Sequence, residues 1–171
     1  MSVQALIVMG VSGSGKTTLG KALAARLGWA FADADDYHPQ SNREKMARGE
    51  PLTDADREPW LRSLRGLVER HLAEGNPLVL ACSALKVSYR TTLSGGLEGV
   101  RYVFLHGDPQ LIAQRMQKRE HFMPVSLLES QLAALEPPQE AIWLDVAQPL
   151  EANLQTVLQH LHPQQEFRNA K

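Results

Sequence analysis

Gly10-Val-Ser-Gly-Ser-Gly-Lys-Thr17, near the start of the chain, has the residue types and spacing of a phosphate-binding loop, G-x-x-x-x-G-K-[ST]. Glycines let the backbone curl until its N–H groups face one point. Lys16 brings a positive charge for the β- and γ-phosphates, and Thr17 brings a hydroxyl for Mg²⁺. A helix beginning here points its N-terminus, the positive end of its dipole, at the same anion. Gly10, Ser12, Gly13, Ser14, Gly15, Lys16, Thr17 and Thr18 are therefore the candidate nucleotide contacts. The cofactors this chemistry implies are ATP and Mg²⁺.

A second constellation follows about one helix later. The stretch "FADADDYHP", Phe31–Pro39, holds Asp33, Asp35 and Asp36. In a kinase with such a loop, the acceptor approaches the γ-phosphate from the carboxyl edge of the sheet. If the third strand lies between the first and second, two inter-strand steps of about 4.8 Å put these carboxylates roughly 10 Å across the sheet. That separation suits Mg²⁺ held through water on one side and an acceptor hydroxyl on the other. Strand alternation puts Asp33 and Asp35 on one side, with Asp33 toward the metal and Asp35 as the group that takes the hydroxyl proton. Asp36 reads as a turn former.

The elements that must position these groups alternate along the whole chain. Apolar runs predict strands over Val3–Met9, Trp29–Ala32, Leu78–Cys82, Val100–Leu105 and Ala141–Val146. Leu19, Leu23 and Leu27 predict one face of a helix over Lys16–Leu27, with Gly28 as its C-cap. Further helices are expected over Gln40–Arg48, from an Asp54 N-cap through Trp60 to Leu72, and after "SALK". Others are expected over Pro109–Lys118, from a Ser126 cap to Leu135 with Glu129 completing a capping box, and over Pro149–Leu161. Near-continuous apolar strands separated by helices imply an α/β fold, a parallel sheet covered on both faces.

Composition narrows the function classes. The 171 residues suit one compact domain, 1–171. Eighteen Lys and Arg balance nineteen Asp and Glu, with no charged tail of the kind that signals nucleic acid or membrane partners. Cys82 is the single cysteine, so no internal disulfide forms and a reducing, cytoplasmic setting is expected. The first apolar run is too short to span a bilayer. A GTPase would need an Asn-Lys-x-Asp and a D-x-x-G, and neither is present. The third strand ends in Cys82-Ser83, where a motor ATPase usually carries an aspartate. A small-molecule kinase is the reading that remains favoured. A non-catalytic ATP-binding module is the rival of a different class.

Four blocks, "VMGVSGSGKTT", "DADDYHPQSNREKMARGEPLTDADREPWL", "ACSALKVSYR" and "REHFMPVSLLESQLAALEP", closely resemble the bacterial gluconate kinases. The resemblance runs from Val8 to about Leu150. It implies ATP-dependent phosphorylation of D-gluconate at its 6-hydroxyl and a homodimer. It also implies a P-loop kinase three-layer sandwich, a five-stranded parallel sheet of order 2-3-1-4-5 with helices on both faces and a lid. The lid is expected at about 118–126 and a substrate-binding helical part at about 38–75. A substrate carboxylate needs a cation, and Arg57 ranks first because it matches an acid-binding arginine of the related shikimate kinases. Lys86, expected near the γ-phosphate, and Lys45 are further candidates, each with a solvated surface charge as the alternative. His38 either donates to a sugar hydroxyl or is a turn histidine packed on Pro39. Arg119 in the lid is expected on the transferring phosphoryl group, Arg115 on adenine, and Pro149 in the adenine loop "DVAQP". Gln131 offers an amide suited to a polyol, a point against shikimate. Cys82 is expected to be a buried apolar group, and Trp60 and Trp143 to lie in the core or an interface.

Overall fold

A computed structural model describes residues 2–118 and 125–162. Five parallel strands form its centre: β1 (Ala5–Met9), β2 (Ala30–Asp33), β3 (Leu78–Ala81), β4 (Val100–His106) and β5 (Ile142–Asp145). Their order across the sheet is β2-β3-β1-β4-β5, as the resemblance implied. Ile7 of β1 pairs with Leu80 on one side and Tyr102 on the other. Every residue of β1 and of β3 is buried. A strand buried on both of its alternating faces must be covered from both sides, which is why these segments read as unbroken apolar runs.

The helices are α1 (Lys16–Leu27), α2 (Gln40–Ala47), α3 (Asp54–Glu74), α4 (Val87–Ser94), α5 (Pro109–Gln117), α6 (Val125–Ala134) and α7 (Leu150–Leu161). α1 packs on β1, β2 and β3 and against α7, while α3 packs on β1 and against α4. Leu19 and Leu23 of α1 and Leu64 and Val68 of α3 join one apolar cluster with the strands.

Three boundaries depart from the sequence reading. β2 ends at Asp33, and the chain turns at once into a 3-10 turn, Ala34–Tyr37, capped by Asp33 itself. The cap of α3 is Thr53, one residue before Asp54. Thr53 Oγ1 accepts from Asp56 N, and Asp56 Oδ2 accepts from Thr53 N, a reciprocal capping box. Ser126 lies inside α6, so the capping box with Glu129 does not form; its hydroxyl position at N2 leaves no cap role.

Candidate active site

The chain between β1 and α1 crosses the carboxyl edge of the sheet as a tight loop. Gly13 has φ 82°, and a Cβ there would stand 2.4 Å from Met116 Cγ; Gly15, the N-cap of α1, has φ 98°. Both values lie where side chains are strained, so the curl depends on glycine. Lys16 Nζ donates to Gly10 O and Val11 O, each at 3.1 Å. Residues 12–19 line a cavity of about 440 Å³, together with Arg115, Val146, Gln148 and Asn153 among others. That volume is in the range of small-molecule sites. Ser14 Oγ, buried in this loop, has no hydrogen-bond partner among the described residues, which suits a group meant for a ligand oxygen.

Asp33 and Asp35 reach the loop by different routes. Thr17 Oγ1 donates to Asp33 Oδ2 at 2.8 Å, while Asp33 Oδ1 accepts from Asp35 N at 3.0 Å. The side chain of Asp33 thus meets Thr17 directly, closer than the sheet spacing suggested, because α1 crosses toward β2. A hydroxyl and a carboxylate so placed are hard oxygens of the kind Mg²⁺ takes alongside substrate phosphates. Among the described residues there is no cluster of three or more His, Cys, Asp or Glu that could hold a metal alone.

Asp35 arrives on the 3-10 turn, not on the strand, so alternation was the wrong reason for grouping it with Asp33. It lines the large cavity and also a second, narrower one of about 50 Å³. Burial in the cleft pushes its pKa up, Lys16 opposes this, and Asp33 and Asp36 add to it. Its side chain is still 65 % accessible, so water screens the effect until the cleft is filled. Asp36 lines neither of these cavities; with Asp33, Lys21 and Tyr37 it lines a third, of about 470 Å³, beside the turn. Arg43, which the sequence did not single out, ties the turn down by donating to the carbonyls of Asp35, Asp36 and His38.

The narrow cavity gathers the candidate acceptor-binding residues. His38, Arg57, Trp60, Leu85 and Gln131 line it together with Ser12, Lys16 and Asp35. His38 stacks on Trp60, ring centroids 4.1 Å apart at 14°, and not on Pro39. Burial, with Arg57 and Arg43 nearby, pushes its pKa down to about 4, so the ring is neutral. Asn42 Nδ2 lies 3.3 Å from His38 Nδ1 and also donates to Asp56 O. An amide NH₂ is only a donor, so Nδ1 is the acceptor and Nε2 carries the proton. That N–H points to the cleft, where Asp35 Oδ1 stands 4.0 Å away. Gln131 Oε1 accepts from Ser12 N at 2.6 Å, linking α6 to the phosphate loop.

Two expected substrate cations are engaged elsewhere. Lys45 Nζ donates to Asp56 Oδ2 at 2.7 Å, and this lysine holds the Asp56 pKa down at about 2. Lys86 Nζ turns to Asp54 Oδ1 at 3.3 Å, toward α3 and not toward the phosphate loop. Neither lines either of these two cavities. Arg115 does line the cavity beside the phosphate loop, with its Nη1 donating to Val146 O at 2.8 Å. Pro149 caps α7 without lining the cavity; its neighbours Gln148 and Leu150 do so. Arg119, His121 and Phe122 lie outside the described residues. Asn153 had no sequence signal: it is a buried polar residue of α7 whose Nδ2 donates to Asp145 O. Ala84 likewise went unread. Its left-handed φ of 46° turns the chain between Ser83 and Leu85, which both line the narrow cavity.

Residues 6–138 match the model of a family described as AAA domain. The gluconokinase of Gluconobacter oxydans (strain 621H) is 52 % identical over 134 residues, covering 78 % of this chain and 75 % of that one. A crystal structure of a gluconokinase from Sinorhizobium meliloti 1021 superposes with a TM-score of 0.82 at 43 % identity, covering 95 % of this chain and 94 % of that one. Shikimate kinase from Bacteroides thetaiotaomicron, with a TM-score of 0.64 at 21 % identity over 92 % of this chain and 97 % of that one, shares the fold alone. With the phosphate loop, the 2-3-1-4-5 sheet and this likeness across most of its length, the chain belongs to the gluconokinase family of P-loop kinases.

Proposed function

We propose that this protein transfers the γ-phosphoryl group of ATP to the 6-hydroxyl of D-gluconate, releasing ADP and 6-phospho-D-gluconate. The observation that carries the transfer is that Ser12, Lys16 and Asp35 line both cavities, so the phosphate side and the acceptor side meet on those three residues. The gluconokinase relatives support the sugar acid as acceptor.

In this reading the backbone N–H groups of the loop cradle the phosphates, and Lys16 offsets charge on the moving phosphoryl group. Asp35 takes the proton as the acceptor oxygen bonds to phosphorus and the bond from phosphorus to the ADP oxygen breaks. Its raised pKa fits a group that must accept a proton. The neutral His38 donates its Nε2–H to a sugar hydroxyl, Gln131 meets the polyol, and Arg57 takes the carboxylate. Arg115 and the 146–150 segment hold the base. Arg119, outside the described residues, is given the transferring phosphoryl group on the family resemblance alone. Thr17 and Asp33 would hold Mg²⁺, which when bound neutralises phosphate charge. Lys45 and Lys86 are given no substrate contact. On the family likeness we read the working form as a cytoplasmic homodimer; among the described residues, no helix is long and apolar enough to cross a membrane.

The test is ADP release with a panel of acceptors: gluconate, shikimate, adenylylsulfate and nucleoside monophosphates. Gluconate is expected to give the highest kcat/KM. Faster turnover of another acceptor overturns the substrate reading, and ATP binding without acceptor-dependent release would make the protein a binding module.

A further inference from the structure

Arg57 lines the acceptor cavity, and its guanidinium is held in a set direction. Nη1 donates to Leu52 O at 2.5 Å and to Tyr89 Oη at 3.1 Å. The guanidinium carbon stands 5.1 Å from the centre of the Tyr89 ring. Nη1 carries two protons, and Leu52 and Tyr89 take both. The edge formed by Nε and Nη2 is then the one left to face a ligand. Two parallel N–H groups on one edge are what a carboxylate accepts best.

The tyrosine is oriented in its turn. Its hydroxyl donates to Asp54 Oδ1 at 2.5 Å, and Lys86 Nζ donates to the same oxygen at 3.3 Å. A phenol has one proton. With that proton on Asp54, the oxygen presents lone pairs to Arg57. The relay therefore has one sense: Lys86 and Tyr89 donate to Asp54, and Arg57 donates to Tyr89. Tyr89 is 4 % exposed and lines neither cavity, so it has no direct path to substrate.

We infer that Tyr89, held by Asp54, is a positioning residue that turns the Nε–Nη2 edge of Arg57 toward the acceptor's carboxylate. The inference rests on the reading of Arg57 as the ligand of that carboxylate. It also gives Lys86 and Asp54, which do not line the cleft, a place in acceptor selection.

The test is steady-state kinetics of the full chain with ATP and gluconate, using Tyr89→Phe, Arg57→Ala and the double variant. Tyr89→Phe keeps the ring under the guanidinium and removes only the hydroxyl. It should raise KM for gluconate about three- to tenfold, with kcat within about twofold and KM for ATP unchanged. In the Arg57→Ala background the same substitution should add nothing further. An unchanged KM in Tyr89→Phe, or an equal rise with and without Arg57, overturns the inference. An unchanged KM in Arg57→Ala overturns instead the assignment of Arg57 to the carboxylate. If Tyr89→Phe does not fold, Asp54→Ala takes its place, since that side chain is exposed: it should raise KM about twofold by freeing the tyrosine hydroxyl, and no rise overturns the inference.

Discussion

Asp35 and Asp36 are adjacent carboxylates in one turn, and the fold gives them different surroundings. Asp35 lines both cavities and sits close enough to Lys16 to feel its charge; Asp36 lines neither. Asp35→Asn should lower kcat by about 10²–10⁴-fold and leave ATP binding intact, whereas Asp36→Asn should turn over like the unsubstituted enzyme. Asp35→Asn should also raise the unfolding midpoint at pH 7, by a small amount because water screens this 65 % accessible side chain. The Asp35 carboxyl has a pKa raised in the folded state, so the fold holds more protons than the unfolded chain as pH rises past the ordinary carboxylate value. Stability is lost across that window, and an uncharged amide avoids the loss. Calorimetry and turnover on the two variants check both statements. The phosphate loop was legible because its chemistry is backbone chemistry, set by glycines at fixed spacing. Asp35 was legible as a type but not as a position, since the chain leaves the strand at Asp33. The lysines were not legible at all: Lys45 and Lys86 are claimed by Asp56 and Asp54, which only the folded chain brings to them.

α3 shows how the first two turns of one helix set a site. Its first turn carries the Thr53–Asp56 capping box, Lys45 on Asp56, and Arg57 one residue later. Its second turn carries Trp60, whose Nε1 donates to Ala34 O and so fixes the aspartate turn. Thr53→Ala should destabilise the protein by about 1 kcal/mol in urea unfolding. It should also raise KM for gluconate more than KM for ATP, because fraying this end loosens Arg57. Equal effects on both substrates would show that the cap serves stability alone. The apolar stripe of α3 was legible from Trp60 to Leu72. Its start was misread by one residue, because Thr53 and Asp54 are both good caps and only the reciprocal bond to Asp56 decides between them.

At the scale of the whole molecule, buried His38 makes stability depend on pH. Its pKa falls from an ordinary 6.5 to about 4 in the fold. Between those values the unfolded chain binds a proton that the folded chain does not. Stability therefore drops as pH falls from 6.5 to 4, by on the order of 3 kcal/mol, and this residue adds no slope below that range. His38→Gln should remove that part of the slope when unfolding is followed across the window; an unchanged slope would mean the stacked ring is protonated in the fold. The strands themselves were legible, since a central parallel strand has no solvent face to carry polar residues. Their order across the sheet was not. Nothing in five apolar runs says which lie side by side, and only the resemblance supplied 2-3-1-4-5.

Cys82 follows β3 at the carboxyl edge, 1 % exposed, its thiol pushed up to about 12 by burial. A thiol so placed exists almost wholly in its unreactive form, shut away from reagents by the sheet and its helices. It is also the chain's single cysteine. Alkylation must therefore wait for the centre of the molecule to come apart, which makes the rate of labelling a clock for global opening.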